Sequence, residues 1–179
     1  MRISYWLSGT SPLQGDLSRG GARSRTAPPP PRSPCCCFRA CPPAMASIKD
    51  LEGRWRLTES QGFEEYMKEL GVGLALRKMG AMAKPDCVIS CDGNNITIKT
   101  ESTLKTTQFS CTLGEKFDET TADGRKTQTI CTFTDGALVQ HQNWDGKEST
   151  ITRRVKDGKL VVDCVMNNVT CTRVYEKVE

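Results

Sequence analysis

The stretch Lys147-Glu148-Ser149-Thr150-Ile151-Thr152-Arg153-Arg154-Val155-Lys156-Asp157-Gly158-Lys159-Leu160-Val161-Val162-Asp163-Cys164-Val165-Met166-Asn167-Asn168-Val169-Thr170-Cys171-Thr172-Arg173-Val174-Tyr175 holds three β-branched runs separated by two turn dipeptides. Asp-Gly and Asn-Asn tolerate the positive φ angles that tight hairpins demand, so the stretch predicts three consecutive antiparallel strands. A two-residue loop at Asn167-Asn168 sets Cys164 opposite Cys171, Val162 opposite Arg173 and Leu160 opposite Tyr175. The same loop at Asp157-Gly158 sets Arg153 opposite Val162. Arg153 and Arg173 then flank Val162 from either side, with backbones roughly 10 Å apart at about 4.8 Å per strand.

Side chains alternate along a strand, so Arg173 and Tyr175 share one face. Arg153 shares its face with Ile151 and Val155, while Leu160, Val162, Cys164 and Met166 make one apolar face of the strand between. The arginines are therefore predicted to lie on the inner side. A buried guanidinium cannot discharge and must find an acceptor. A carboxylate guest would accept bidentate, charge-assisted hydrogen bonds from it, with a tyrosine hydroxyl as a neutral donor. Two other readings stay open at this level: a structural ion pair with an interior Asp or Glu, or an outward face after a one-residue slip. Cys164 opposite Cys171 reads as two small apolar residues in contact, or as a disulfide under oxidising conditions.

Working outward, Asp-Gly recurs at Asp92-Gly93, Asp123-Gly124, Asp135-Gly136 and Asp145-Gly146, with Gly114 between. β-Branched runs such as Asn95-Ile96-Thr97-Ile98-Lys99-Thr100 fill the intervals. This predicts eight or nine strands after Cys87 and one more at 54–58. Phe63, Tyr66, Met67 and Leu70, then Leu74, Leu76, Met79 and Met82 after Gly71-Val72-Gly73, repeat at helical spacing and predict two short helices joined at glycine. So long an antiparallel meander should close on itself to remove its edges. Aromatic residues make up only 6% of the chain, and many positions of alternating strands are polar, among them Thr97, Thr100, Thr103, Thr106, Gln108, Ser110, Thr127, Thr129, Gln140 and Gln142. About half of these should face solvent. The remainder leave a barrel too wide for a dense core, hence a wet internal cavity.

Residues 1–44 are different material. They hold eight of the nine prolines and six arginines against one acid, with no hydrophobic periodicity, and read as a disordered leader preceding a folded domain at 45–179. Their net +5 exceeds the chain's +4, so the remainder carries −1 and offers no footprint for nucleic acid. The leader has no apolar stretch long enough for a secretory signal, and its proline run breaks the amphipathic helix of a mitochondrial transit peptide. Met45-Ala46-Ser47 reads as the start of the functional protein. Without a secretory signal, Cys87, Cys91, Cys111, Cys131, Cys164 and Cys171 are expected mostly as free thiols. Cys87 and Cys91 are too far in sequence from the lone His141 to suggest a zinc site. Lys68, Arg77 and Lys78 on the helix pair form either a solvated face or a basic patch for an anionic membrane or an importer.

Gly53-Arg54-Trp55-Arg56-Leu57, the helical Phe63-Glu64-Glu65-Tyr66-Met67-Lys68-Glu69-Leu70-Gly71-Val72 and the ending Thr172-Arg173-Val174-Tyr175-Glu176 resemble the intracellular fatty acid-binding proteins across 45–179. The cysteine richness and the run Lys99-Thr100-Glu101-Ser102-Thr103-Leu104-Lys105-Thr106-Thr107 resemble the epidermal type of that family. The resemblance implies an all-β fold, a ten-stranded antiparallel up-and-down β-barrel (β-clam, calycin type) capped by a helix-turn-helix. It implies a long-chain fatty acid or related lipid inside, its carboxylate on Arg153, Arg173 and Tyr175, and Cys87, Met79 and Thr100 along the acyl chain or at the portal. It further implies a nuclear localisation patch at Lys68, Arg77 and Lys78 and ligand delivery to membranes, enzymes or a nuclear receptor. Transient membrane contact, a monomer and no cofactor or metal go with it, as do cytoplasmic residence, nuclear entry and an unconventional route of secretion. The leader is the one departure from the pattern.

An enzyme is the weaker reading. His141 stands beside Trp144, no serine or cysteine has a base paired with it, and no phosphate-binding loop occurs. A secreted lipocalin also begins near Gly-x-Trp, but it lacks a helix pair after the first strand.

Overall fold

The computed structural model describes residues 46–178. The leader expected at 1–44, and the start at Met45, lie outside the described residues. A short 3-10 helix, Ile48–Leu51, opens them, its end closed by a capping box between Ser47 and Asp50. Ten strands follow: β1 Gly53–Gln61, then β2 Asp86–Asp92, β3 Asn95–Glu101, β4 Thr106–Thr112, β5 Lys116–Thr120, β6 Lys126–Thr134, β7 Ala137–Trp144, β8 Lys147–Lys156, β9 Lys159–Met166 and β10 Val169–Lys177. The two helices, α1 Phe63–Glu69 and α2 Leu74–Met82, lie between β1 and β2 as their periodicity predicts. Every pairing is antiparallel, in the order β4-β3-β2-β1-β10-β9-β8-β7-β6-β5.

The hairpin registers follow from the loops. Asp135-Gly136, Asp145-Gly146 and Asp157-Gly158 each adopt positive φ at both residues, matching the twist of the flanking strands. Arg153 stands opposite Val162, and Val162 opposite Arg173, as the turn chemistry predicts. Two dipeptides behave differently. The first hairpin loop is Gly93-Asn94, one residue beyond Asp92-Gly93, because Asp92 still pairs with Asn95. Asp123-Gly124 sits inside a longer loop closed by Thr121, whose N–H donates to the Arg125 carbonyl and whose hydroxyl accepts from the Arg125 N–H.

The expectation of a fully closed sheet needs correction. β4 and β5 are the two ends of the ladder and do not hydrogen-bond to each other. Side chains bridge the seam instead: Phe109 of β4 stacks on Phe117 of β5 with ring centroids 5.8 Å apart. Farther down, the Gly114 N–H donates to the Cys131 carbonyl of β6 at 2.8 Å. The barrel is closed by packing there rather than by a ladder. Away from the seam, β1 pairs with β2 through Gly53 to Arg56 and with β10 from Trp55 to Gln61, and a bulge at Thr58 shifts the β1–β10 register by one residue. Leu51, Trp55, Ile89, Ile96, Leu138 and Leu160 are fully buried, and the Trp55 indole donates to the Leu51 carbonyl at 2.9 Å. Of the polar alternates, Thr127, Thr129, Gln140 and Gln142 are buried, while Thr97 and Ser110 bond to each other on the exposed face.

Candidate functional site

Leu160, Val162, Cys164 and Met166 are all buried, so the register fixes the inner face of the β8-β9-β10 wall. Arg153 from β8 and Arg173 and Tyr175 from β10 therefore point inward. They line a cavity of about 490 Å³, a size typical of small-molecule sites. Cys87, Met79 and Thr100 line the same cavity, so the structure brings together all six residues expected around a ligand. The outward-slip alternative is excluded. Cys87 is buried, and its thiol is pushed up by that burial while the Arg153 and Arg173 charges oppose the shift.

The two arginines are held in different ways. Arg153, 9% exposed, donates Nη1 to Gln140 Oε1 at 2.7 Å. The Arg173 guanidinium lies 4.1 Å from the centroid of the Phe63 ring of α1 and 5.6 Å from that of Tyr175. Aromatic faces stabilise its charge without accepting N–H bonds in the carboxylate manner, and its Nε is buried without a hydrogen-bond partner. Burial pushes the Tyr175 hydroxyl up to about 12, with the Arg173 charge opposing, so it remains a neutral donor near neutral pH. Two cations and a phenol on one wall can chelate a carboxylate.

One interior acid escaped the sequence reading. Glu119 of β5 is buried, and its Oε2 accepts from Thr129 Oγ1 at 2.8 Å, Gln140 Nε2 at 2.8 Å and Gln142 Nε2 at 2.9 Å. It reaches Arg153 only through the Gln140 amide, so the salt-bridge alternative is replaced by a relay. Gln140, already among the polar alternates, could have been tied to Arg153 by carrying the hairpin count through Asp145-Gly146, which sets Leu138 opposite Arg153 with Gln140 next along that face. Glu119 could not, because the long Thr121-centred loop conceals its register.

The cap is loosely held. α1 buries Tyr66 and Met67, and the Tyr66 hydroxyl bonds to Ser149 Oγ at 2.7 Å. α2 buries no residue, leaving Leu74, Leu76, Met79 and Met82 exposed. Gly80 lets α2 approach α1, since a Cβ there would meet Met67 Sδ at 3.0 Å. Lys68 and Lys78 are exposed on the cap, but Arg77 is half-buried and donates Nη1 to the Val72 carbonyl at 2.9 Å. Cys164 and Cys171 face each other as buried free thiols, and hydrogen bonding to Cys164 together with burial pushes the Cys171 thiol up.

Residues 52–178 match the model of the Lipocalin / cytosolic fatty-acid binding protein family. The human protein Fatty acid-binding protein 5 is 84% identical over 135 residues, which is 75% of this chain and 100% of that protein. Its Bos taurus counterpart is 81% identical over the same length. Among solved structures, the REP1-NXSQ fatty acid transporter is 45% identical with a TM-score of 0.71, covering 73% of this chain and 97% of that one. The Schistosoma mansoni fatty acid binding protein in complex with arachidonic acid is 31% identical with a TM-score of 0.71, covering 75% of this chain and 100% of that one. With its family model matched through the whole barrel and its order of strands and helices accounted for, the chain belongs to the lipocalin / cytosolic fatty-acid binding protein family.

Proposed function

We propose that the protein is a non-enzymatic carrier that encloses a long-chain fatty acid or related lipid, its carboxylate on Arg153, Arg173 and Tyr175. The observation that carries this reading is the Arg173 guanidinium, beside the Phe63 and Tyr175 rings in the cavity wall, with its Nε lacking a hydrogen-bond partner among the described residues. The relatives support it, since they are named as a fatty acid-binding protein and a fatty acid transporter. Burial of the acyl chain contributes roughly 0.8 kcal/mol per CH₂, so the tail supplies most of the affinity and the arginines select the acid. Met79, Thr100 and Cys87 contact the acyl chain along the cavity wall.

The same reading makes the cap the site of outside contacts. Exposed apolar residues of α2 beside Lys68 and Lys78 suit brief contact with an anionic membrane. Lys68, Arg77 and Lys78 serve as a nuclear localisation patch once Arg77 leaves Val72, with delivery to a nuclear receptor downstream. The protein acts as a cytoplasmic monomer, residues 1–44 are a leader outside the carrier domain at 45–179, and Cys164 and Cys171 join as a disulfide under oxidation. Calorimetric titration with a fatty acid and with its methyl ester tests the central claim. Arg173→Ala should weaken the acid by about 10- to 100-fold, the worth of a hydrogen bond to a charged group, and leave the ester nearly unchanged. Equal losses for both ligands would remove the arginine from the carboxylate site.

A further inference from the structure

Among the described residues, three charged groups lie in the depth of the cavity: Arg153, Arg173 and Glu119. The other cavity-lining charges belong to its rim: Asp123 and Arg125 pair with each other at 2.6 Å, and Lys105 Nζ donates to the Ala122 carbonyl. Three donors converge on one Glu119 oxygen, the arrangement that suits an ionised carboxylate. Counted so, the interior carries one uncompensated positive charge. Where that charge sits depends on contact, and the acid does not touch Arg153. Gln140, 1% exposed, stands between them, giving Nε2 to Glu119 and taking Arg153 Nη1 on Oε1.

The direction of this amide follows from chemistry. A carboxylate only accepts and a guanidinium only donates, so Gln140 has one orientation that satisfies both. The amide thereby orients Arg153 with a neutral acceptor. A carboxylate in its place would orient Arg153 equally well but cancel its charge, and an ion pair at that distance in a poorly solvated cavity would compete with any anionic guest.

Building on the carboxylate-binding reading above, we infer that the Gln140 amide, polarised by Glu119, is a specificity-determining spacer that holds Arg153 in place while leaving its charge to the guest. The pair Glu119-Gln140 thus sets the cavity to favour a monoanionic lipid over a neutral one. Val162, Arg173 and Tyr175 could form the same wall beside either arrangement.

The test exchanges the two side chains. The double variant Glu119→Gln with Gln140→Glu keeps composition, net charge and the donor-acceptor count, but moves the carboxylate next to Arg153. Titration with a fatty acid and its methyl ester should show the acid weakened at least about tenfold, well inside the roughly thousandfold ceiling of a charge pair at an effective dielectric of ~20, with ester binding retained. Retention of the acid-over-ester preference in the exchanged protein would overturn the spacer role. The single variant Glu119→Gln, which keeps an acceptor oxygen for Gln140, guards against misfolding of the double variant, and thermal melts of both report folding. Its acid-to-ester affinity ratio should rise several-fold, and a ratio that stays level or falls would equally overturn the proposal. Absence of any acid-over-ester preference in the unaltered protein would instead refute the carboxylate-binding reading itself, which separates the two failures.

Discussion

The β7–β10 wall and the cap formed by α2 with the β3–β4 turn share one cavity but differ in how their side chains are held. The wall is a continuous ladder with two-residue loops, and its inward residues Leu138, Leu160 and Val162 are buried. α2 buries nothing, and Met82 is 83% exposed and Leu104 52%. A rigid wall suits the exacting geometry of charged hydrogen bonds. A weakly packed cap suits passage of an acyl chain, because few contacts must break to open it.

The contrast can be broken most forcefully from the wall side. Leu160→Ala removes a fully buried side chain beneath the arginines and should cost about 2–5 kcal/mol. Chemical denaturation would measure this, with weakened acid binding expected because Val155 of β8 and Tyr175 of β10, on the two strands that carry the arginines, lean on the same residue. A stability loss confined to a few tenths of a kcal/mol would mean that the wall relaxes as freely as the cap.

An intermediate effect is expected where the chain returns from the cap to the barrel. Asp86 opens β2 and pairs with Arg56 at 3.0 Å and Arg54 at 2.9 Å. The Arg56 hydrogen bond, joined by that of Arg54, holds its carboxyl below the usual carboxylate range against the opposing effect of burial. A depressed folded value means the unfolded chain takes up protons first, so this stabilisation is present above about pH 4 and lost as pH falls through the folded value. Asp86→Asn should lower Tm by a few degrees at neutral pH. The gap from the parent should shrink below about pH 4 in thermal melts across pH, and a gap that widened in acid would contradict the sign. The smallest effect belongs to the cap: Leu76→Ala, at an exposed position, should change stability by no more than about 0.5 kcal/mol. It should nevertheless slow fatty acid transfer to anionic vesicles if α2 is the contact surface, and unchanged transfer would remove α2 from that role.

The same contrast governs what could be read in advance. Asp157-Gly158 and Asn167-Asn168 fix hairpin register through backbone angles local to a few residues, and from them Arg153, Arg173 and Tyr175 fell onto one inner face. The count fails at Thr121, where a longer loop breaks the arithmetic, and Glu119 goes unseen. Hydrophobic periodicity found both helices, but it could not tell that α2 buries none of its leucines and methionines, with Leu76 and Met79 lining the cavity and Met82 83% exposed, since periodicity reports a face and not what covers it. The seam shows the same limit. Nothing in the runs around Gly114 states that Phe109 and Phe117 close by stacking what hydrogen bonds leave open.

The amino-acid sequence by itself determined the order of elements and the tight hairpins of the β7–β10 wall, with Arg153, Val162 and Arg173 in register, because each rests on interactions among residues close along the chain. Only the tertiary structure decided that Arg173 rests on Phe63, that Glu119 approaches Arg153 through Gln140, and that the barrel ends in an unpaired seam. These contacts join strands and helices far apart in sequence, and their geometry is the outcome of packing the whole barrel at once.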